Sequence, residues 1–242
     1  MKKEIEDKVK DIIDSNFEVE DCYKVPDIDD SRLTFGNKGL RFEATTLYID
    51  MRESTKILNK HNRPTVAKLH MAYFHTIVKI AKSMNGEVRS FNGDGMLVFF
   101  YGTTKQSLSN AVKAAMQMKY MLTQSDVKDK LEKYSALNFG IGIDHGTILC
   151  TKVGISGTNN RDLVWIGNPV NKSVKVGDNL KAPYHIGISS STYNNLLDEV
   201  KYHKYTDSYG FERTENMWKE GWYTYNEQTV KYYYTSYYWI VI

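Results

Sequence analysis

Cysteines and long apolar runs are scarce in this 242-residue chain, and both shortages limit what it can be. Its two cysteines, Cys22 and Cys150, stand far apart without metal-binding spacing, which favours reduced thiols in a cytosol over a disulfide framework or a zinc site. No run of eighteen apolar residues occurs, so no membrane span is predicted. The N-terminal residues lack the apolar core of a signal peptide. We therefore expect a cytoplasmic protein without a membrane segment.

An excess of charge of one sign is also missing. The sequence has 32 Lys and Arg against 29 Asp and Glu, which gives a net charge of +3. In the lysine-rich stretch 128–133, lysines alternate with acidic residues, as is typical of a solvated helix face rather than of a nucleic-acid surface. We therefore predict no nucleic-acid partner. The length suits one generous domain or two small ones. We place the main domain at residues 40–242, after an N-terminal helix and connector at residues 1–39.

Helical spacing of apolar residues predicts a short amphipathic helix within residues 1–17, which would pack on its own domain or on a partner chain. The patterns that follow predict a connector over 18–40, a strand over 40–50, helices over 54–64 and 66–84, a hairpin over 87–100, a helix over 106–122, a second hairpin over 137–153 turning at Asp144-His145-Gly146, a strand over 162–166, a helix over 168–180 capped by Asn168, and a strand over 184–188. The tyrosine-rich segment after Lys201 predicts a terminal hairpin or a three-stranded flap. This mixture indicates an α+β fold, an antiparallel sheet flanked by helices.

Two aspartates occupy positions where backbone is open to a ligand. Asp50 ends an apolar strand just before Ser54 and Thr55, which can cap the next helix or turn its free N–H groups toward an anion. Asp94 lies in Asn92-Gly93-Asp94-Gly95, a strong hairpin signal. Either aspartate alone would most often be a solvated or capping residue. Two carboxylates at strand ends beside a helix start suit a divalent cation that carries a phosphate chain.

Asn171 and Lys175 form a second candidate pair. They are four residues apart on a predicted helix and therefore share one face. Such a pair is by default polar surface, and it gains functional meaning only if that face meets the two carboxylates.

Three motifs in this order resemble the class III nucleotide cyclases. Asp50–Thr55 is similar to their Asp-Ile-x-Gly-Ser/Phe-Thr motif, and Phe91–Gly95 resembles their second metal motif, a Gly-Asp pair before a β-strand. Ile166–Lys175 resembles their Trp/Ile-Gly-x-x-Val-Asn-x-x-x-Arg motif. One such motif alone would be weak, but three together over roughly residues 40–197 are specific. The resemblance implies the class III cyclase fold, which has a ferredoxin-like core.

The resemblance also implies a site assignment. Asp50 and Asp94, with the Met51 carbonyl, would hold two divalent cations, Mn²⁺ or Mg²⁺: one acidifies the ribose 3′-hydroxyl and the other holds the β- and γ-phosphates. The N–H groups of Arg52, Glu53, Ser54 and Thr55 would cradle the triphosphate. Asn171 would orient the ribose, and Lys175 would neutralise charge on the α-phosphate. The two halves come from different subunits in this family, which implies a homodimer with composite active sites.

Four positions depart from the family pattern. Glu53 stands where glycine is usual, so its carboxylate must point outward or repel the triphosphate. Lys175 replaces the usual arginine and supplies a point charge without a bidentate fork. Ser90 occupies the place of the purine-reading lysine or glutamate, and Val164 occupies that of an aspartate or threonine. Neither purine code is present, so discrimination for a purine would be weak.

These departures resemble the bacterial pyrimidine cyclases of Pycsar anti-phage systems, which make cyclic UMP or cyclic CMP. We therefore expect a pyrimidine nucleoside triphosphate as substrate, with UTP favoured over CTP. Family membership implies a separate effector that responds to the cyclic nucleotide. Phe42, Trp165 and Phe91 could shrink the base pocket around Ser90 and Val164, although core packing explains each aromatic residue equally well.

Three alternatives remain open on the sequence alone. The first is an adenylate cyclase with an atypical base pocket. The second is a non-catalytic nucleotide-binding homologue, which Glu53 and Lys175 favour and the intact Asp50, Asp94 and Asn171 oppose. The third, a diguanylate cyclase, lacks the Gly-Gly-Asp-Glu-Phe hairpin.

Overall fold

The computed structural model describes residues 1–157 and 159–241. The helices and strands are α1 (Lys2–Asp14), β1 (Glu18–Asp21), β2 (Lys38–Arg52), α2 (Ser54–Lys60), α3 (Arg63–Ser83), β3 (Gly86–Asn92), β4 (Gly95–Tyr101), α4 (Lys105–Thr123), α5 (Asp126–Glu132), β5 (Asn138–Gly154), β6 (Arg161–Ile166), α6 (Asn168–Asp178), β7 (Ile186–Ser189), α7 (Ser190–Asn194), α8 (Asp198–Lys201), β8 (Tyr202–Thr206), β9 (Glu212–Asn216), β10 (Lys219–Tyr225) and β11 (Gln228–Thr235). None of the helices within these residues is long and apolar enough to cross a bilayer.

One large sheet organises the described residues. Its strands follow the order β10-β11-β7-β5-β2-β4-β3, while β1 pairs with the start of β2 and β6 with the end of β5. Most neighbours are antiparallel, but β5–β7 and β1–β2 are parallel. The α+β prediction is confirmed, with a mixed sheet in place of a wholly antiparallel one.

The first face of the sheet is covered by α3 and α4. Leu47 and Ile49 of β2 point to this side and join one buried cluster with the apolar stripe of α3. The predicted helix over 66–84 forms as α3, and its apolar residues at helical spacing are buried, at Val66, Leu69, Tyr73, Ile77 and Ile80. This layer fixes β2, which carries Asp50, and β4, which begins directly after Asp94, to a rigid support.

The second face of the sheet is covered by α6. Gly142 of β5 has no side chain, and a Cβ there would collide with the backbone of Ser173, so the glycine lets the helix lie directly on the strand. Where α6 meets the β10–β11 hairpin, its Val176 packs against Tyr223 and Tyr232. The helix that carries Asn171 and Lys175 is therefore held firmly on this face.

The predicted hairpin over 137–153 is wrong. These residues form the single strand β5, which pairs with β2 without interruption from Gly39↔Thr151 to Arg52↔Asn138. A long partner strand satisfies the backbone of Asp144 and His145 more fully than a turn would. The Asp144 side chain is buried instead, and Ser189 donates a 2.5 Å hydrogen bond to it.

The N-terminal segment differs from expectation in two ways. Helix α1 forms as predicted but buries none of its residues on its own domain, and Asn37 anchors its last turn through the carbonyls of Ile12 and Ser15. The connector over 18–40 contains the strand β1 and buries Cys22, Val25 and Leu33 against the second face. The apolar residues of this segment therefore belong to the packing of the sheet.

The C-terminal segment ends in the predicted hairpin and not in a three-stranded flap. Strands β8 and β9 make a separate two-stranded ribbon, while β10 and β11 form a hairpin that extends the main sheet through β7. The tyrosines of this hairpin thus serve the packing of α6.

Candidate active site

Asp50 and Asp94 lie side by side at one end of the sheet. Asp50 is directly opposite Gly95 in the β2–β4 ladder, and Asp94 precedes Gly95 in the two-residue turn that joins β3 to β4. Gly93 adopts a φ of 64°, the left-handed conformation that its sequence allows. Burial and the negative charge of Asp94 raise the pKa of Asp50. The turn and the ladder together bring the two predicted carboxylates to one place.

Tyr48 is a site residue that the sequence analysis missed. It lies two residues before Asp50 on β2 and thus on the same face, and its hydroxyl is hydrogen-bonded to Asp50. Burial, and then the charges of Asp50, Asp178 and Asp94, raises the pKa of Tyr48 to about 12. The phenol therefore stays protonated at neutral pH and donates to the carboxylate. The strand period of two was the signal that could have indicated it.

Gly95 is required because Tyr48 and Asp50 occupy the space above it. A Cβ at this position would stand 2.5 Å from the Tyr48 hydroxyl and 2.9 Å from Asp50 Oδ1. Both atoms lie at the ends of flexible side chains. Gly95→Ala should therefore displace the side chains of Tyr48 and Asp50 while β4 keeps its structure. We expect turnover to fall about tenfold or more, because a misplacement near 1 Å has such an effect, with little change in melting temperature. Steady-state kinetics and calorimetry test this; unchanged turnover would contradict the proposed crowding.

The side chain of Arg52 also lies at this site, although only its N–H group was predicted to act there. Its Nη1 lies 3.4 Å from Asp50 Oδ2 and 3.3 Å from Asp178 Oδ1, and its Nη2 donates to the Gly177 carbonyl. Asp178, at the end of α6, was not predicted. The side chain of Met51 is buried, and the β2–β4 ladder stops at Asp50, so on that side the Met51 backbone has no strand partner within the described residues.

The backbone conformation of Glu53 explains why glycine is usual at this position. Glu53 adopts the left-handed conformation, with φ 59° and ψ 27°, and its exposed carboxylate pairs with Lys56 at 2.5 Å. Glu53 occupies the N-cap position, so the expectation that Ser54 or Thr55 caps α2 is wrong, and α2 has no side-chain cap. Ser54, Thr55 and Asp94 line one cleft of about 340 Å³. Its other lining residues are Leu58, Val66, His70 and Gly93.

Glu53 offers a test that separates backbone strain from charge. Glu53→Gln keeps the left-handed strain and removes the carboxylate, whereas Glu53→Gly removes both. Because the negative charge stands beside the proposed triphosphate site, we expect both variants to lower the KM for the triphosphate about two- to fivefold. Only Glu53→Gly also removes the left-handed strain, which costs about 1–2 kcal/mol of stability. The greater chain entropy of glycine in the unfolded state offsets about 0.5–1 kcal/mol of this gain. An unchanged KM in both variants would show that Lys56 already neutralises the charge.

Asn171 and Lys175 are exposed on the side of α6 that faces away from the sheet. Ser173, Val176 and Gly177 form the buried side of the helix. Within the described chain, neither the Asn171 nor the Lys175 side chain has a hydrogen bond or ion pair, and the charges that shift the pKa of Asp50 come from Asp94, Arg52 and Asp178. The two predicted pairs are therefore not brought together within one chain.

The start of α6 needs a correction. Its N-cap is Gly167, not Asn168, and no side chain caps it. The Asn168 amide oxygen accepts a 3.1 Å hydrogen bond from the Tyr225 hydroxyl instead. Asn168 thus ties α6 to the β10–β11 hairpin.

The residues predicted for the base pocket do not form one group. Phe42 is buried and packs edge-on against Trp165, with ring centroids 6.0 Å apart, while Val164 points to the opposite face of β6. Ser90, on β3, donates a 3.1 Å hydrogen bond to Asn92. Phe91 is exposed and packs against Phe74 of α3. Phe42 and Trp165 therefore share a cluster, and Val164 is separate from it.

The donor set at Asp50 and Asp94 suits a hard divalent cation. Carboxylate and carbonyl oxygens are the ligands that Mg²⁺ and Mn²⁺ prefer, and such ions commonly take one or two carboxylates plus substrate phosphates. Within residues 1–157 and 159–241 no cluster of three or more His, Cys, Asp or Glu side chains has a metal-binding arrangement, so phosphate oxygens and water would complete the coordination. The guanidinium of Arg52 already places a positive charge against Asp50.

Comparisons with known proteins agree with this geometry. The family model of the adenylate and guanylate cyclase catalytic domain matches residues 41–234. The chain is 30% identical over 235 residues to a uridylate cyclase of Xanthomonas perforans, with 95% of each chain covered, and 26% identical over 204 residues to one of Burkholderia cepacia, covering 83% of this chain and 86% of that one. The crystal structure of the guanylyl cyclase Cya2 has the same fold, with a TM-score of 0.65 at 21% identity over 81% of this chain and 92% of that chain. By its fold, its motifs and these matches, the chain belongs to the class III nucleotide cyclases.

Proposed function

We propose that this nucleotide cyclase converts a pyrimidine nucleoside triphosphate, UTP in preference to CTP, to the 3′,5′-cyclic monophosphate and pyrophosphate. Two divalent cations per site, Mn²⁺ or Mg²⁺, would be held by Asp50, Asp94 and the Met51 carbonyl. The observation that supports the proposal is the ladder pair Asp50↔Gly95, which brings Asp50 next to the turn that carries Asp94. Asp94 also lines the cleft of Ser54 and Thr55. When bound, the cations would activate the ribose hydroxyl and neutralise the phosphates.

The remaining roles fall to the chain's own side chains. Tyr48 holds Asp50 by a hydrogen bond and keeps its own proton at neutral pH. The backbone of Arg52–Thr55 would receive phosphate oxygens, and the exposed Glu53 carboxylate, which is paired with Lys56, supports this role. Asn171 would orient the ribose, and Lys175 would place a positive charge at the α-phosphate as the leaving group departs.

The position of α6 supports a composite site in a homodimer. Asn171 and Lys175 project from the solvent side of the helix, while the sheet side of the same helix is tied to Asp50 through Arg52. A second copy of the chain can present these side chains to the first copy's carboxylates. In a two-fold arrangement each dimer would then hold two sites.

Pyrimidine selection rests on two observations. The relatives at 26–30% identity are named uridylate cyclases. The purine-reading position holds Ser90, a short uncharged residue whose hydroxyl donates to Asn92, and this supports a single-ring base. The preference of UTP over CTP rests on the relatives alone.

The biological part of the proposal follows the same relatives. The cyclic nucleotide would act as a second messenger in anti-phage defence and would activate a separate effector. The buried, unpaired Cys22 and Cys150 suit the reducing cytoplasm in which such a messenger would form.

The direct test is to incubate the purified protein with Mn²⁺ and each of the four ribonucleoside triphosphates, and to identify the products by mass spectrometry. We expect cyclic UMP as the main product, with less cyclic CMP. Strong conversion of ATP with little of UTP or CTP would replace the proposal by an atypical adenylate cyclase. Nucleotide binding without any product would indicate a non-catalytic homologue.

A further inference from the structure

The side chain of Arg52 connects the candidate metal site to α6. One nitrogen contacts both Asp50, at 3.4 Å, and Asp178, at 3.3 Å, and another donates to the carbonyl of Gly177. Asp178 is the last residue of α6, so the positive charge stands at the C-terminal end of the helix, where the helix dipole favours it. A single guanidinium therefore touches one carboxylate of the site, Asp50, and two groups at the helix end, the Asp178 carboxylate and the Gly177 carbonyl.

Two glycines make room for this connection. A Cβ at Gly140 would lie 2.7 Å from Arg52 Nη2, so the arginine crosses β5 only because that residue lacks a side chain. Gly177 is buried against Gly142, which brings its carbonyl close to the strand surface. The Arg52 side chain is 21% exposed and that of Asp178 is 45% exposed, so the link is partly shielded from solvent. The contact is thus built into the packing of α6 on the sheet.

Arg52 and a divalent cation compete for the same carboxylate. Asp50 Oδ2 can pair with the guanidinium or coordinate a metal ion, and a doubly charged ion at this position repels the arginine. Its remaining partners are Asp178 and the Gly177 carbonyl, both on α6. When the contact with Asp50 is lost, the Arg52 guanidinium therefore keeps only its contacts with α6.

We propose that Arg52 and Asp178 form a clamp at the end of α6: a divalent cation displaces the guanidinium from Asp50, the guanidinium keeps only its partners on α6, and the helix that carries Asn171 and Lys175 becomes more ordered. The inference rests on the proposed function and deepens it. In a composite dimer, α6 serves the site of the partner subunit, so cation binding in one site prepares the other. Arg52 and Asp178 are positioning residues in this scheme, and cation binding becomes positively cooperative.

Hydrogen exchange of the α6 peptide, measured by mass spectrometry with and without Mn²⁺, tests the clamp on the full-length protein. In the wild type we expect Mn²⁺ to slow exchange in residues 170–178 about fivefold, the size of a local stabilisation between coupled groups. Arg52→Gln should still bind Mn²⁺, seen as a thermal shift, but should lose this protection. Arg52→Lys, which cannot reach all three acceptors at once, should lose most of it.

The matched control is Arg41→Gln, on the same strand. Arg41 also pairs with an aspartate, Asp21, at 2.7 Å, but at the far end of β2 from the site. This variant should keep the protection of α6 by Mn²⁺. A thermodynamic cycle adds a second readout: turnover in the Arg52→Gln/Asp178→Asn double variant should be no lower than in the worse single variant.

The outcomes separate the clamp from the function on which it rests. Protection of α6 in Arg52→Gln equal to that in the wild type, or strictly multiplicative losses in the double variant, would overturn the clamp and leave the cyclase proposal intact. A wild type that shows neither a thermal shift with Mn²⁺ nor turnover would overturn the metal site and the clamp together.

Discussion

Asp50→Asn is expected to lower turnover about a thousandfold or more, because the metal-assisted stabilisation that it removes amounts to several kcal/mol. Asparagine keeps the shape of the side chain and the partner for Tyr48, so the local fold should persist. Asp94→Asn should have an effect of similar size, since the two carboxylates occupy one site. Steady-state kinetics with UTP and Mn²⁺ measures the loss.

The same substitution should leave stability equal or higher at pH 7. Burial and Asp94 raise the pKa of Asp50 in the folded protein, so the folded state binds a proton more tightly than the unfolded state. The wild type is therefore destabilised at neutral pH and regains stability as the pH falls through the raised pKa. Asp50→Asn removes the buried charge, and with it the gain in stability that the wild type shows as the pH falls. Melting temperatures at pH 7 and pH 4–5 check both parts.

A surface aspartate provides the control for this pair of measurements. Asp14 is exposed on α1, and Asp14→Asn should change neither turnover nor the pH profile of melting. A loss of turnover of no more than about tenfold would be smaller than the loss expected for an essential metal ligand. If Asp50→Asn gave so small a loss, Asp50 would not be an essential metal ligand.

Mixing two inactive variants should restore activity if the sites are composite. Asp50→Ala and Asn171→Ala remove complementary halves, so a heterodimer of the two keeps one intact site and one site that lacks both residues. With random exchange of subunits, half of the dimers are heterodimers with one of two sites active, which predicts about 25% of wild-type activity by two-fold symmetry. The assay is turnover after co-refolding or subunit exchange.

The control for mixing is a chain that carries both substitutions. Combined with Asp50→Ala, it leaves every site without Asp50, and no activity should return. Failure of the Asp50→Ala and Asn171→Ala mixture to recover, with heterodimers demonstrated by mass spectrometry, would mean that each chain holds a complete site or none.

Local sequence patterns were sufficient to predict the parts of the site that depend on local geometry. The turn at Asn92-Gly93-Asp94-Gly95 needs only a positive φ and flanking β-rich runs, and it forms as predicted. The helix predicted over 66–84 forms as α3, and the apolar residues at helical spacing on it are buried. Asp50 and Asp94 therefore meet through one turn and one ladder of neighbouring strands.

Features that depend on distant partners were not predictable from these patterns. Asp144-His145-Gly146 has the composition of a turn, but the length of β2 keeps it in a strand. Asp178 joins the site only because α6 packs across Gly140 and Gly142, far from it in sequence. The burial of Cys22, Val25 and Leu33 likewise depends on the second face of the sheet. In each case tertiary packing decided the outcome.

A crystal structure with Mn²⁺ and a non-cyclisable UTP analogue, using anomalous scattering at the manganese edge, would locate the metal ions. We predict two manganese peaks, with oxygen atoms of both Asp50 and Asp94 bonded to them and phosphate oxygens on the opposite side. Manganese bonded to only one of the two aspartates, or bound elsewhere while the analogue occupies the cleft, would contradict this prediction.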